Sequence, residues 1–169
     1  MARPIQFTLH ADALSPAELH AVLVDETYLR DRLAELGGSS AELVGLTSDD
    51  SGSRAVFRHG ISSRGLPAAV RSIAPNGITV ERTETWRREG EGYVGTMAAR
   101  VADTPATIDA TTSIRPVDGG AELRGAGQVT VRLPLVGGMV EKAVAEQVTA
   151  LLDAESRFTL DRIARRRRG

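Results

Sequence analysis

Residues 4–10 alternate, with Ile5, Phe7 and Leu9 set against Gln6, Thr8 and His10, the period of two expected of a strand with one buried face. Ser15-Pro16-Ala17-Glu18 then supplies an N-cap serine, a proline at the first helical position and a glutamate three residues after the cap, which together form a capping box. A short helix carrying Leu19, Val22 and Leu23 is predicted to follow. Asp25 opens a second helical stretch, in which Tyr28, Leu29, Leu33 and Leu36 recur at helical spacing until Gly37-Gly38 ends it. From Ser40 the period returns to two for most of a hundred residues. Strands are predicted over 40–48, 53–61, 77–89, 92–103, 106–116 and 120–133, separated by turn signals such as Asn76-Gly77, Thr104-Pro105 and Asp118-Gly119. Connections this short imply antiparallel neighbours. Only residues 62–75 make a longer link, with a helical turn around Pro67–Ile73. Beyond Pro134 and Gly137-Gly138, the residues Val140, Val144, Val148, Leu151, Glu155, Phe158 and Arg162 lie along one helical stripe, and no proline or glycine interrupts 139–168. A helix of about 26 residues would be about 39 Å long, enough to cross a small domain.

The order is therefore strand, two short helices, six strands and one long helix. The long helix must cover its apolar stripe, and the sheet is the surface large enough to do it. The expected fold is α+β: a curved antiparallel seven-stranded sheet around a long C-terminal helix, a helix-grip architecture, with two short helices after the first strand closing one end. One domain is expected over 1–164, with 165–169 as an Arg-rich C-terminal tail.

Composition narrows the chemistry. The chain has 169 residues, 41% of them hydrophobic and 25% charged, which suits one globular domain with a real core. It contains no cysteine, so disulfides, thiolate nucleophiles and cysteine-based zinc sites are excluded. The formal charge is −1, but four of the cations are Arg165, Arg166, Arg167 and Arg168, and residues 1–164 therefore carry −5. A body that acidic is no general nucleic-acid binder. No stretch has the length and hydrophobicity of a signal peptide or a membrane span, so a soluble cytoplasmic protein is expected.

Three short segments carry a family resemblance: Gly65-Leu66-Pro67 followed by Val70-Arg71; Glu84-Thr85-Trp86; and Leu133-Pro134-Leu135-Val136-Gly137-Gly138 leading into Glu141. With the element order, they make the chain resemble the START-like (SRPBCC) superfamily, which includes polyketide cyclases, plant pathogenesis-related lipid binders and coenzyme Q-binding proteins. More specifically the chain resembles the family called domain of unknown function 2505. The resemblance implies a helix-grip fold with a cavity between sheet and helix for a small apolar or amphipathic molecule, such as a lipid or polyketide.

The residues expected to face that cavity follow from strand alternation. Ile78, Val80 and Trp86 share a face with Arg82 and Glu84, so a charged pair is expected among apolar neighbours, where it must be paired, hydrated or bound to something. It is either the polar anchor of a pocket with Trp86 as a wall, or a structural bridge. Phe57 shares a face with His59, which is either a base or ligand contact or a satisfied wall histidine. Small residues mark other strands: Gly95 and Ala99 beside Met97, Ala110 beside Ile108, and Gly125 and Gly127 in line with Leu123 and Val129. They leave either a cavity or room for close packing. Val144 and Val148 of the long helix complete the expected lining.

His10 and His20 add no metal-ligand spacing, and no phosphate loop, nucleophile elbow or dinucleotide fingerprint is present, so neither a metal nor a cofactor is expected. Three functions remain open. One is a binder of a small apolar molecule. Another is a cyclase/aromatase-type or hydrolase-type enzyme using His59, Glu84, Tyr28 or Tyr93. The third is an interaction module whose oligomeric state the sequence leaves open. The Arg165–Arg168 run is either an anionic-membrane contact or a helix end whose cations complement the macrodipole.

Overall fold

The computed structural model describes residues 2–38 and 40–169 of the chain. Strand β1 (Arg3–Asp12) leads into helices α1 (Pro16–Leu23) and α2 (Glu26–Leu36). Strands β2 (Glu42–Asp49) and β3 (Gly52–Ile61) are joined by a single 3-10 turn and the short helix α3 (Ala68–Arg71) to β4 (Ile78–Glu89). Strands β5 (Gly92–Val101), β6 (Ala106–Val117) and β7 (Gly120–Val131) follow, and α4 (Gly137–Arg168) ends the chain. The seven strands form one antiparallel sheet in the order β1-β7-β6-β5-β4-β3-β2. Hairpins run from β2 to β7, and β1 closes the order by pairing with β7. This is the helix-grip arrangement expected from the sequence.

Local chemistry sets the element ends. The amide of Glu18 donates to Ser15 Oγ at 3.2 Å and the amide of Ser15 donates to Glu18 Oε2 at 2.7 Å, so both halves of the capping box form. Asp25 caps α2 by accepting from the Tyr28 amide at 2.8 Å. Gly38, at φ +78°, ends α2 and bridges to Gly60. A side chain there would strike the Gly60 carbonyl.

The long helix differs from expectation in two ways. It begins at Gly137 and runs 32 residues, because the glycine pair is accommodated in its first turn, where Gly137 lies buried against Val131. Its buried stripe is also rotated by about one position: Glu141, Ala145, Leu152, Glu155, Thr159 and Ile163 face the sheet, whereas Val144, Val148 and Leu151 are half-buried. Apolar periodicity located the general face, but two carboxylates and a threonine occupy its deepest line. The arginines Arg165–Arg168 are the last turn of this helix, where Arg167 donates to the Asp12 carbonyl and Arg166 lies 3.5 Å from Asp25.

The interior has two apolar clusters. One gathers α1 and α2 with Leu9, Phe57, Trp86 and Ile114; the other gathers α3 and the first half of α4 with Ile5, Met97, Ile108 and Val129. Phe7 touches both. Gly125, on the neighbouring strand directly opposite Phe7, lets that ring lie flat: a Cβ at position 125 would overlap it. The small residue here serves close packing rather than a void.

Gly125→Ala is accordingly expected to destabilise the fold by about 1–3 kcal/mol through overpacking. Urea unfolding of Gly125→Ala, Phe7→Leu and the double variant tests this. The Gly125→Ala cost should shrink in the Phe7→Leu background, and strict additivity would refute the contact.

Candidate functional site

Four charged side chains meet in the middle of the interior. Arg82 of β4 forks onto Glu155 of α4, with Nη1 donating to Oε1 at 2.8 Å and Nη2 to Oε2 at 3.0 Å. The same Nη2 lies 2.6 Å from Glu84 Oε1, and Arg32 of α2 donates to that oxygen at 3.1 Å. Arg32 Nε is 3.9 Å from Glu155 Oε1, which closes a ring of two guanidinium groups and two carboxylates. Arg32 also lies over the rings of Phe57 and Tyr28, 5.1 and 5.7 Å from their centroids. Thr159 donates to the Glu155 carbonyl at 2.8 Å, so at 2.7 Å the Tyr28 hydroxyl is left to donate to Thr159 Oγ1.

The side chains of this quartet are all between 6 and 14% exposed, so charge must be balanced locally. Two cations and two anions achieve that. Burial alone would push the Glu155 carboxyl up, but Arg82 and Arg32 beside it hold it at about 2. Burial would likewise release protons from Arg82 and Arg32, and Glu155 and Glu84 keep both charged. Burial raises the Tyr28 hydroxyl.

Beside the quartet lies a partly enclosed cavity of about 380 Å³ between α4, α3 and strands β3–β6. Its wall is almost wholly apolar, including Ile61, Leu66, Val70, Ala99, Ile108 and Leu151. His59 and Arg82 give it a polar end, and Gln147 is its other polar side chain. His59 is 7% exposed; its Nε2 is buried without a hydrogen-bond partner, and so is Arg82 Nε. Burial, reinforced by Arg82, pushes the His59 imidazole down to about 4, so it is neutral at pH 7. On the far side of the Arg82–Glu155 bridge is a second space of only about 50 Å³, lined by Phe7, Tyr28, Glu84, Trp86 and Thr159 among others. Arg82, Met97 and Leu152 line both spaces. These three side chains, with Glu155 behind Arg82, are thus the partition between the two spaces.

Of the residues expected at a cavity, His59, Val80, Arg82, Met97, Val144 and Val148 line the larger space, while Glu84 and Trp86 line the smaller one together with Arg82 and Met97. Phe57 and Val129 are fully buried in the two apolar clusters and line neither, since neighbouring side chains fill the space around them. Strand alternation did not reach Arg32 or the role of Glu155. A signal for both exists: each charge sits on the apolar stripe of its helix, Arg32 four residues after Tyr28 and Glu155 in line with Leu152 and Thr159.

The other histidines lie elsewhere. His10 faces Glu122 at 3.5 Å on the sheet's outer side, and His20 stacks on Tyr93 with ring centroids 3.9 Å apart. Among the described residues no three histidine, aspartate or glutamate side chains gather as a metal site. A surface depression of about 740 Å³ also lies on the outer side of the sheet, among residues such as Thr85, Thr96, Thr111 and Arg124, and is more open and of mixed polar and apolar lining.

Comparison with known proteins agrees with this architecture. The model of the family described as "Protein of unknown function (DUF2505)" matches residues 7–163. Uncharacterized proteins of Mycobacterium tuberculosis and Mycobacterium bovis are each 30% identical over 165 residues, covering 92% of this chain and 95% of theirs. Among solved structures, human STARD10 aligns at a TM-score of 0.60 with 12% identity, over 98% of this chain and 66% of that one. A START superfamily protein from Mycobacterium smegmatis aligns at 0.51 with 14% identity, over 96% and 98%. These structures show the fold. No helix of the described residues is long and apolar enough to cross a membrane.

Removing one partner of the quartet leaves a buried charge uncompensated, so Glu155→Gln is expected to cost about 3–5 kcal/mol in urea unfolding. A cost near zero would mean that Arg82 is solvated. Stability should also fall with acid in two stages. His59 has a folded value of about 4 against an ordinary 6.5, so its contribution is whole above about pH 6.5 and is lost as pH drops toward 4. Glu155, folded about 2 against 4.5, adds a loss from about 4.5 down to 2. Unfolding curves across pH should show His59→Gln flattening the upper stage alone. An unchanged upper stage would exclude His59 as its source.

Proposed function

This chain belongs to the DUF2505 family, and we propose that it binds one small, largely apolar molecule with a neutral polar head in the 380 Å³ cavity beneath α4. The observation that carries this reading is the wall itself: apolar over nearly its whole surface, with unpartnered donors or acceptors of His59 and Arg82 at one end. The START-like fold supports it, since the cavity lies between the curved sheet and the long helix that define that fold. The volume stands at the lower end of the range of about 300–1,000 Å³ typical of small-molecule sites, which favours one compact molecule.

The head group follows from the charges. Neutral His59 supplies one N–H donor and one acceptor, and Arg82 Nε a further donor. The quartet already balances its own charge, so an added carboxylate would bring an uncompensated negative charge into a largely apolar cavity. A carbonyl or hydroxyl satisfies the free groups without that penalty. The same features weigh against acid–base catalysis, which works best with a group titrating near the operating pH: Glu155 is held ionised by its arginines, and His59 is a weak base.

The neutral naphthalene ketone Prodan, an apolar body with one carbonyl, is a suitable probe. Its emission should shift to the blue and saturate on titration with the protein. Native mass spectrometry should also show a co-purified small molecule that is lost on denaturation. Val144→Phe, which fills the cavity, should weaken Prodan binding more than tenfold. Ala99→Leu provides a second filling variant should the first misfold. His59→Leu should weaken binding about fivefold through one lost hydrogen bond. Saturable binding unaffected by filling, or no binding, would refute a ligand site here.

A further inference from the structure

The cavity lies at one end of the domain, and that end has an unusual surface. Its edge is formed by the β3–β4 link (62–77), the β5–β6 turn (102–105) and the link from β7 into the first turn of α4, joined where the Arg132 amide donates to the Pro105 carbonyl at 2.9 Å. At its apex the Val136 amide donates to the Pro134 carbonyl at 2.8 Å around Leu135, whose φ is +66°. That is a γ-turn of the rare, strained hand, with a leucine at its centre. Leu135 is fully exposed, Met139 one turn into α4 is 55% exposed, and Val136 between them is also exposed. Ile73, just beyond α3, adds another exposed apolar side chain to the same end.

Cations lead close to this apolar tip. Arg3, Arg64, Arg71, Arg132 and Lys142 are exposed around it, with Asp103 in the β5–β6 turn and Glu146, 4.0 Å from Lys142, as the acids on the same segments; farther along this end Glu42 and Glu81 are exposed at the strand ends beside Arg58 and Arg100. The opposite end carries charges of both signs: Asp12, Asp49, Asp50, Glu89, Glu91 and Asp118 lie on its strand ends and turns with Arg87, Arg88 and Arg115, of which Arg87 and Arg115 pair with Glu89, and the C-terminal arginines fold back on that end through Arg167 to Asp12 and Arg166 to Asp25. The basic run that the sequence offers as a membrane contact is thus turned toward acids of its own chain. Arg64, Arg71 and Arg132, at the end with the apolar tip, make no ion pair among the described residues.

We propose that this end of the domain docks reversibly on an anionic phospholipid surface, with Leu135, Val136 and Met139 entering the headgroup layer and the surrounding cations meeting the lipid phosphates. Interfacial binding of this kind needs an apolar insert and a cationic rim together, and both are present within one loop and its neighbours. Gly65, Leu66, Pro67, Ala143 and Val144, which line the cavity, belong to the same end. Docking would therefore bring the cavity against the bilayer. The docking itself does not depend on the cavity holding a ligand.

The test is co-sedimentation of the full chain with vesicles of phosphatidylcholine, with and without phosphatidylglycerol as roughly a quarter of the lipid. Sedimentation is expected with the anionic vesicles, little with the neutral ones, and loss in high salt. Arg132→Gln with Lys142→Gln should reduce partitioning more than tenfold, at about fivefold per cation. Leu135→Asn, chosen because asparagine tolerates positive φ, combined with Met139→Gln should reduce it more than tenfold as well. All four positions are exposed, so thermal unfolding and Prodan binding should stay unchanged in both variants, which separates failure of docking from failure of the cavity reading. No sedimentation with anionic vesicles would overturn the proposal, as would sedimentation indifferent to both variants. So would light scattering that shows a dimer dissolved by Leu135→Asn without vesicle binding, since the occupant of the tip would then be a second copy.

Discussion

Arg82 and Glu155, both buried, join the middle of the sheet to the middle of the long helix through two parallel hydrogen bonds. Neither charge could stay there alone: at an effective dielectric near 20, two unit charges about 4 Å apart interact by roughly 4 kcal/mol, and desolvation of each is of comparable size. Each residue is therefore committed to the other, and the helix is committed to one rotation and one height over the sheet. Arg32 and Glu84 complete the neutralisation and extend the constraint to α2, so three elements distant in sequence are fixed by a single charge balance. Replacing such a network with apolar residues could give a more stable interior. What the network adds is a defined arrangement and a polar wall.

That wall explains why the interior is divided. A sheet curved around a helix leaves space where the two surfaces diverge. Here α4 packs chiefly on β1 and β7, leaving its other flank, with Val144, Val148 and Leu151, facing open volume toward β3–β6. Toward α1 and α2 the volume is taken up by Tyr28, Phe57, Trp86 and the Phe7 ring over Gly125. The quartet stands at the boundary. Arg82 Nε and His59 Nε2, on two residues that line the cavity, are buried without a hydrogen-bond partner, as is Arg32 Nε, which lies 3.9 Å from Glu155 Oε1. Buried polar atoms are seldom left unpaired, and the two at the end of the apolar cavity are those that the proposed ligand's polar head would satisfy.

Much of this was legible from residue pattern. The capping box at Ser15, the alternation through β3 to β7 and the uninterrupted run after Gly138 fixed element type and order, and strand parity placed Arg82, Glu84 and His59 indoors. What parity could not supply was distance across the core. Arg32 and Glu155 are 123 positions apart, and nothing local pairs them; each reads as a charge misplaced on an apolar stripe until the fold superposes them. The small residues were ambiguous for a related reason. Gly125 clears room for Phe7 while Ala99 borders the cavity, and the difference depends on the partner strand and the helix rather than on the residue. Helical periodicity likewise located the face of α4 but not its deepest line, because that line is held by Glu141, Glu155 and Thr159 through specific partners.

The division of the interior and the division of the surface are consequences of the same topology. Antiparallel hairpins put the turns β2–β3, β4–β5 and β6–β7 at one end of the sheet, where their acids collect, and the C-terminal arginines are drawn there by both those acids and the helix's own negative pole. The alternate connections, including the long β3–β4 link and the entry to α4, fall at the other end. The link must cross over the concave face instead of turning tightly, so it forms a loose roof of glycine, proline and one short helix above apolar strands. Apolar volume, an irregular roof and the exposed apolar tip with Arg132 and Lys142 beside it therefore coincide at one end, while the quartet ties α2, β4 and α4 together behind them.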